Sequence, residues 1–521
     1  MVVALPEVEI KLTAPAGDLP RLKQALLAMS PKAEENTSTL SSTYYDTPDL
    51  ALRRQEKVLR VRSREGGFVQ TLKSGNAAAD DLLSRGEWED HIASEAVDFN
   101  APNTSLQLAS VAVDELRPLF TTRVTRTAIL LEPNAATAIE AAIDLGEIQA
   151  AGGDSAVPVS EPVSEVELEL LRGEPASLYD VALRLLDVAP LRFSLVTKAE
   201  RGYRLAGNRD NGKNDTGTAP RNADTVVLTT DMTVEAVLQT IGRRCIAHIL
   251  GNEAAVLAQD PEGIHQMRVA VRRLRSMLAT LKPLLPVEHY RWATGELQWL
   301  ANSLGDARNW DVFVLALLNP VLEALPRDEE LKRLAEACGQ RRQEEFEKAH
   351  AAVLSQRYTE AMLRLARWFE IRAWRDQPVS EESAKLIGPV TVIASDLIEQ
   401  RMRKVLKQSR HFARLDPTER HELRIACKKL RYTIEFLGSL YEKEKVDSFV
   451  KRLKPIQEDL GHANDVEVAH GLLESLKTPG LRRALDRAGG LVLGWHQRGL
   501  ADQETGLRKH LARLRSAEPF W

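Results

Sequence analysis

Residues 7–11 read Glu7-Val8-Glu9-Ile10-Lys11. In an extended strand successive side chains alternate faces. Glu7, Glu9 and Lys11 then share one face, and Val8, Ile10 and Leu12 share the other. A solvated face accommodates such a row without difficulty. Burying it requires partners, because an unpaired buried charge is costly.

Working outward, later segments repeat the pattern with complementary charge. Arg60 and Arg62 share a face in Leu59–Ser63, and Lys73 ends Phe68–Lys73. Glu87 and Glu89 alternate in Gly86–Asp90, Arg126 opens Thr125–Leu131, and Asp144 closes Ala141–Leu145. Glu165, Glu167 and Glu169 alternate in Ser164–Leu170, and Lys198 follows Leu195-Val196-Thr197. Further strands are expected at Ser41–Tyr45, Ala138–Gly146, Val163–Leu171 and Phe193–Thr197, and helices at Asp18–Met29, Leu106–Leu116 and Ser177–Asp187. Short strands with tight turns such as Arg64-Glu65-Gly66-Gly67 argue for an antiparallel sheet or barrel. Some strands contribute only acids and others only bases. The charges then either face solvent from a one-sided sheet or line a closed barrel. Inside a barrel, bases suit a polyanion and carboxylates suit Mg²⁺ or Mn²⁺, the pairing that phosphoryl chemistry needs. The residues alone leave both arrangements open.

The chain has 521 residues, 28% of them charged and 44% hydrophobic, as in ordinary globular proteins of several domains. No apolar run approaches the roughly 20 residues of a membrane span. Met1–Pro6 is too short for a secretory signal. Cys245, Cys338 and Cys427 are far apart in helix-like sequence, without metal or disulfide spacing. A cytoplasmic protein is expected. Residues 226–521 carry 46 Lys/Arg against 40 Asp/Glu, whereas residues 1–225 carry 24 against 34. Gly- and Asn-rich sequence over 206–225 reads as a flexible linker. Three parts follow: 1–205 rich in strands, the linker 206–225, and 226–521 with helical periodicity, as two units of about 226–385 and 386–521.

Those two units are an internal repeat. His265-Gln-Met-Arg268-Val-Ala-Val-Arg272-Arg273-Leu-Arg275 matches His421-Glu-Leu-Arg424-Ile-Ala-Cys-Lys428-Lys429-Leu-Arg431 at an offset of 156 residues. Leu304-Gly305-Asp306-Ala307 matches Leu460-Gly461-His462-Ala463 at the same offset. Units this long suggest two pseudo-symmetric helical bundles rather than a solenoid. At about 100° per residue, His265, Arg268, Arg272 and Arg275 fall in one arc, beside an apolar arc of Met267, Val271, Leu274 and Leu278. Like charges three and four apart destabilise an isolated helix. A basic row kept in both repeats therefore points to an anionic partner. Few aromatics accompany it, which argues against nucleic acid.

The motif series over residues 1–205 resembles the CYTH superfamily, the triphosphate tunnel metalloenzymes. The resemblance implies an α+β domain: an eight-stranded antiparallel tunnel with flanking helices that binds triphosphate compounds with divalent metal. Carried onto this chain, Lys11, Arg60, Arg62, Lys73, Arg126 and Lys198 are expected to hold triphosphate. Glu7, Glu9, Asp144, Glu165 and Glu167 are expected to hold Mg²⁺ or Mn²⁺, with Glu7, Glu9 and Lys11 in the catalytic group. Arg123 is the weaker candidate beside Arg126, because the two point to opposite faces. Residues 226–521 resemble the CHAD, or conserved histidine α-helical, domain. That implies two helical bundles and a basic groove for inorganic polyphosphate, formed by His265, Arg268, Arg272, Arg273, Arg275, His421, Arg424, Lys428, Lys429 and Arg431. Together the resemblances imply hydrolysis of inorganic triphosphate, no membrane partner, and association with polyphosphate granules. An adenylate cyclase on the same tunnel, and a non-catalytic polyphosphate-binding protein, are the alternatives.

Overall fold

The computed structural model describes residues 6–30, 34–64, 67–74, 84–108, 113–150, 158–207, 218–476 and 482–521. Residues 65–66 of the expected turn, 109–112 of the expected helix and 208–217 of the expected linker lie outside these. Among the described residues nine strands form: β1 (Pro6–Thr13), β2 (Glu34–Asp46), β3 (Lys57–Arg64), β4 (Gly67–Ser74), β5 (Ser84–Ile92), β6 (Arg117–Asn134), β7 (Thr137–Ala150), β8 (Val159–Arg172) and β9 (Arg192–Ser194). The helices among and after them are α1 (Leu19–Met29), α2 (Ala51–Arg54), α3 (Ser105–Leu108), α4 (Ala176–Leu186) and α5 (Lys198–Gly207). There follow α6 (Val234–Gly251), α7 (Glu253–Leu257), α8 (Pro261–Leu281), α9 (Val287–Ser303), α10 (Gly305–Val312), α11 (Asn319–Ala324) and α12 (Glu329–Leu354). The last are α13 (Gln356–Glu370), α14 (Glu381–Ala384), α15 (Thr391–Ser409), α16 (Pro417–Leu437), α17 (Lys443–Ser475) and α18 (Arg482–Arg515).

Two compact units result: Met1–Ala219 with Leu354–Ile371, and Pro220–Val353 with Arg372–Trp521. In the first, the strand order is β5-β4-β3-β2-β6-β7-β8-β1, every pairing described is antiparallel, and β1 also pairs with β5. That last pairing (Pro6 with Gly86, Val8 with Ser84) closes eight strands into a tunnel. β9 is a short ninth strand on β1. The expected strand Phe193–Thr197 is cut to these three residues, because α5 begins at Lys198. The expected helix Leu106–Leu116 is represented by α3 and a short 3₁₀ turn at Val113–Glu115.

The strands keep their alternation, with polar side chains inward. Ile10 and Leu12 are fully buried on the far face of β1, which meets α4. On β3, Leu59 and Val61 face outward into apolar clusters with Leu52, Leu72, Leu108, Ile92 and Ala101. One stretch of the interior is apolar instead. Leu40, Tyr44, Phe120, Val124, Ile148, Ala150 and Val163 pack there with Ala199 and Tyr203 of α5. The helix is thus held against the inner faces of β6, β7 and β8.

α13 belongs to this unit by packing, although it lies far along the chain. Thr359 Oγ1 donates to Leu191 O (2.8 Å), Gln356 Nε2 donates to Leu186 O (3.0 Å), and Arg367 pairs with Asp180 of α4 (2.8 Å).

The second unit is all-helical, and its repeat is structural. α8 and α16 start and end at positions 156 residues apart, each opened by an aspartate cap (Asp260, Asp416) and a proline. α6 and α15 correspond at the same offset to within two residues. The apolar arcs are buried: Met267, Val271, Leu274 and Leu278 on α8, and Leu423, Cys427, Leu430 and Ile434 on α16. All three cysteines are free and buried, and burial pushes the Cys245 thiol up to about 11 and Cys338 and Cys427 to about 12. Among the described residues no helix is long and apolar enough to cross a membrane.

Candidate functional site

Inside the tunnel is a cavity of about 900 Å³. Its walls include Glu9, Lys11, Arg60, Arg62, Lys73, Arg126, Asp144, Glu167 and Lys198, contributed by β1, β3, β4, β6, β7, β8 and α5. Glu7 shares the alternation of β1, but its side chain lies outside the described residues. Val8 also reaches the cavity, where β1 meets β5. Although alternation places it on the face of Ile10 and Leu12, closure onto β5 brings it to the rim. Arg123 is exposed, on the face opposite Arg126.

A carboxylate–cation network fills the centre. Arg126 donates from Nε to Asp144 Oδ1 (2.8 Å) and from Nη2 to Asp144 Oδ2 (2.7 Å) and Glu167 Oε2 (2.5 Å). Lys198 Nζ lies 2.6 Å from Asp144 Oδ2 and 3.0 Å from Glu167 Oε1, and also pairs with Glu165. Lys11 Nζ lies 2.6 Å from Glu9 Oε1 and 3.0 Å from Glu167 Oε1. Oxygen atoms of Asp144, Glu165 and Glu167 all fall within 4.8 Å of one another. Glu165 is buried behind the wall rather than lining the cavity, one alternation deeper towards the apolar stretch. Across the tunnel, Glu87 lies 3.5 Å from Arg60 and 3.3 Å from Lys73, and Arg62 Nε donates to Ser42 Oγ (3.1 Å).

Burial and cationic neighbours compete for each carboxyl. Burial pushes Glu167 up, but Lys11, Lys198 and Arg126 outweigh it and hold it well below the ordinary carboxylate range. Asp144 is likewise lowered, burial being overcome by Lys198 and Arg126. Glu165 goes the other way. Its burial, reinforced by the charge of Glu167, exceeds the pull of Lys198 and Lys11, and its pKa is raised. The same carboxylates, opposing desolvation, raise the pKa of Lys198 and Arg126.

The sequence reading missed Tyr44, Ser42, Thr122 and Glu140, all on the cavity wall. Tyr44 stacks on Phe120 with ring centroids 4.5 Å apart. Burial raises its phenol, but Arg60, Arg62 and Lys198 outweigh that and lower it. Its position two residues after Ser42 in a strand was a parity signal, but neither residue carries the charge that marked the others.

In the helical unit, one basic cluster gathers His265, Arg268 and Arg272 of α8, Arg308 of α10, and Arg424 and Lys428 of α16. Among the described residues, His265 Nδ1 and the Nε atoms of Arg268, Arg272 and Arg424 are buried without a hydrogen-bond partner. Arg268 Nη1 donates to Ala301 O (2.6 Å). Burial and then Arg308 push His265 down to about 4, and burial and then Arg424 and Arg272 push Lys428 down to about 7. His421 is exposed at 2.5 Å from Asn464 Oδ1. Arg273 and Arg431 stand apart. Arg273 lies over the Phe436 ring (4.9 Å), and both pair with Glu435 (3.4 and 3.1 Å). The two share one carboxylate, so the uniform row expected on α8 and α16 is split.

A CYTH domain model matches residues 5–203 and a CHAD domain model residues 240–474. The inorganic triphosphatase of Haemophilus influenzae is 31% identical over 208 residues, which is 40% of this chain and 57% of that protein. The chain thus spans a little over half the length of this relative. An uncharacterized protein of Mycobacterium tuberculosis (strain H37Rv) is 26% identical over 487 residues, 89% of this chain and 87% of its own. The crystal structure of the CHAD domain from the plant Ricinus communis matches at 31% identity and a TM-score of 0.50, covering 58% of this chain and 99% of that one. With the carboxylate-and-cation tunnel in the first unit and the repeated His–Arg helices in the second, the chain belongs to both families, carrying a CYTH domain (residues 5–203) followed by a CHAD domain (residues 240–474).

Proposed function

We propose that the tunnel hydrolyses inorganic triphosphate to diphosphate and phosphate with a divalent metal, and that the helical unit binds inorganic polyphosphate. The observation that carries the first part is the convergence of Asp144, Glu165 and Glu167 within 4.8 Å, beside a cavity whose lining includes Lys11, Arg60, Arg62, Lys73, Arg126 and Lys198. Three carboxylates are a hard oxygen donor set, which fits Mg²⁺ or Mn²⁺. When bound, such a metal supplies Lewis-acid charge to phosphate oxygens.

The chain's own residues do the remainder. Lys11, Arg60, Arg62, Lys73, Arg126 and Lys198 donate to non-bridging oxygens and neutralise charge that grows on the leaving diphosphate. Glu9, held by Lys11 at 2.6 Å, receives the proton of the attacking water. The oxygen of that water bonds to the terminal phosphorus as the bridging P–O bond breaks, and diphosphate leaves with the electron pair. For the helical unit, the support is the set of buried nitrogens of His265, Arg268, Arg272 and Arg424 that have no hydrogen-bond partner among the described residues. Phosphate oxygens would satisfy them.

The test is incubation of the full chain with tripolyphosphate, ATP and long-chain polyphosphate in Mg²⁺ and in Mn²⁺. Phosphate and diphosphate from tripolyphosphate are expected. Cyclic AMP from ATP, or binding without turnover, would overturn the hydrolytic reading. Long-chain polyphosphate should bind the full chain and lose affinity in the His265→Ala/Arg268→Ala/Arg272→Ala variant.

A further inference from the structure

The 156-residue repeat places two equivalent corners beside the basic cluster, and they differ in chemistry. In the first, Arg273 and Arg431 share Glu435, and Arg273 also neighbours Cys245 and His248 of α6. The repeat maps these positions onto a second corner: Arg273 onto Lys429, Arg431 onto Arg275, Cys245 onto Arg401, His248 onto Lys404, and Glu435 onto Ala279. The second corner has therefore lost its acid and gained two cations. Its four charges come from three packed helices: Arg275 from α8, Arg401 and Lys404 from α15, and Lys429 from α16.

These charges sit together. Arg401 Nη2 donates to Thr280 Oγ1 of α8 (2.8 Å), and Arg275 Nη2 donates to Gln298 Oε1 of α9. Lys429 is opposed by Arg401, Lys404 and Arg275. Among the described residues no carboxylate hydrogen-bonds or ion-pairs with any of the four. Arg275 lies two helical turns beyond Arg268 on α8, in the same arc as Arg268 and Arg272, so this corner continues the basic face.

We propose that Arg275, Arg401, Lys404 and Lys429 form a second phosphate subsite, occupied by a further segment of a polyphosphate chain already held at the His265–Arg268–Arg424 cluster. The inference rests on the polyphosphate reading above and deepens it: it makes binding depend on chain length. It also makes the two halves of the repeat unequal, one corner closed by Glu435 and the other open to ligand. Like charges gathered without acids destabilise the empty protein, and a polyanion relieves that repulsion.

The experiment measures binding of tripolyphosphate and of long-chain polyphosphate to the full chain over a range of salt. The variants are Arg401→Gln/Lys404→Gln and, separately, His265→Ala/Arg268→Ala. The first should weaken long-chain binding about tenfold and lower the salt slope by about 1 to 1.5, while leaving the affinity for tripolyphosphate and its hydrolysis unchanged. The second should also weaken long-chain binding, with tripolyphosphate hydrolysis in the tunnel retained. If Arg401→Gln/Lys404→Gln leaves long-chain affinity and salt slope unchanged while His265→Ala/Arg268→Ala abolishes binding, the subsite falls and the polyphosphate reading stands. If the unsubstituted chain binds no polyphosphate, both fall. A glutamate placed by Ala279→Glu, restoring the acid of the first corner, should reproduce the loss and guards against a folding artefact in the double variant.

Discussion

Gly202 of α5 lies against the ring of Phe120 so closely that a Cβ there would come within 2.0 Å of Cε2. The contact seats the helix inside the tunnel, helped by the bond from Tyr203 Oη to Asp46 Oδ2 (3.0 Å). Four residues earlier the same helix delivers Lys198 to Asp144 and Glu167. Phe120 cannot yield easily, because Tyr44 stacks on its other side and Tyr203 meets its edge.

Gly202→Ala should therefore push α5 out of its seat and move the Lys198 ammonium. Overpacking of this kind costs about 1–3 kcal/mol, and a shift near 1 Å at a reacting centre costs about 100-fold in rate. Thermal unfolding and triphosphate hydrolysis should show both losses. Full activity with unchanged stability would mean that the helix does not position Lys198.

Glu167 is shared by Lys11, Arg126 and Lys198. Glu167→Gln removes the charge that balances three cations and one member of the carboxylate trio. Hydrolysis should fall by at least about 100-fold, and Mn²⁺ binding, read by titration calorimetry, should weaken in parallel. An active variant that keeps its metal affinity would remove Glu167 from the metal set.

Lys428 is lowered to about 7 by burial and by Arg424 and Arg272. It is half neutral near pH 7 and largely neutral at pH 8.5, whereas an ordinary lysine remains charged to about pH 10. A bound polyanion favours the ammonium and raises the pKa, so binding should take up protons between roughly pH 7 and 10. Calorimetry in two buffers of different ionisation enthalpy measures the uptake. Lys428→Arg should abolish it, and uptake that persists in that variant would assign it to another group.

Thr359 Oγ1, buried, donates to Leu191 O in the loop before β9. Thr359→Val keeps the shape but leaves that carbonyl without its donor, at a cost of about 1–3 kcal/mol. Chemical unfolding followed by a probe in the tunnel unit should register the loss. An unchanged transition would mean that this bond contributes nothing to the unit's stability.

Which charged residues share a strand face was legible, because alternation survives folding, but the residues alone left open whether those faces meet solvent or a tunnel. Lys11, Arg60, Arg62, Lys73, Arg126 and Asp144 all line the cavity. Parity could not reveal Tyr44 or Ser42, whose polarity is too weak to stand out from an ordinary strand. Nor could it separate Arg273 from Arg272. The two are adjacent in sequence, yet one meets Glu435 and Phe436 and the other joins an acid-poor cluster.

The amino-acid order by itself determined which residues share a face, since a period of 2 in strands and 3.6 in helices is a local property of the backbone. It also determined the repeat, down to the aligned ends of α8 and α16. Only the tertiary structure decided what each face meets. Closure of β1 onto β5 turned the charged faces inward, α5 supplied Lys198 from a helix, and packing drew α13 into the first unit. Helix packing set Glu435 against both Arg273 and Arg431. Such pairings join segments distant in sequence, and their free energy depends on burial and register that no local pattern records.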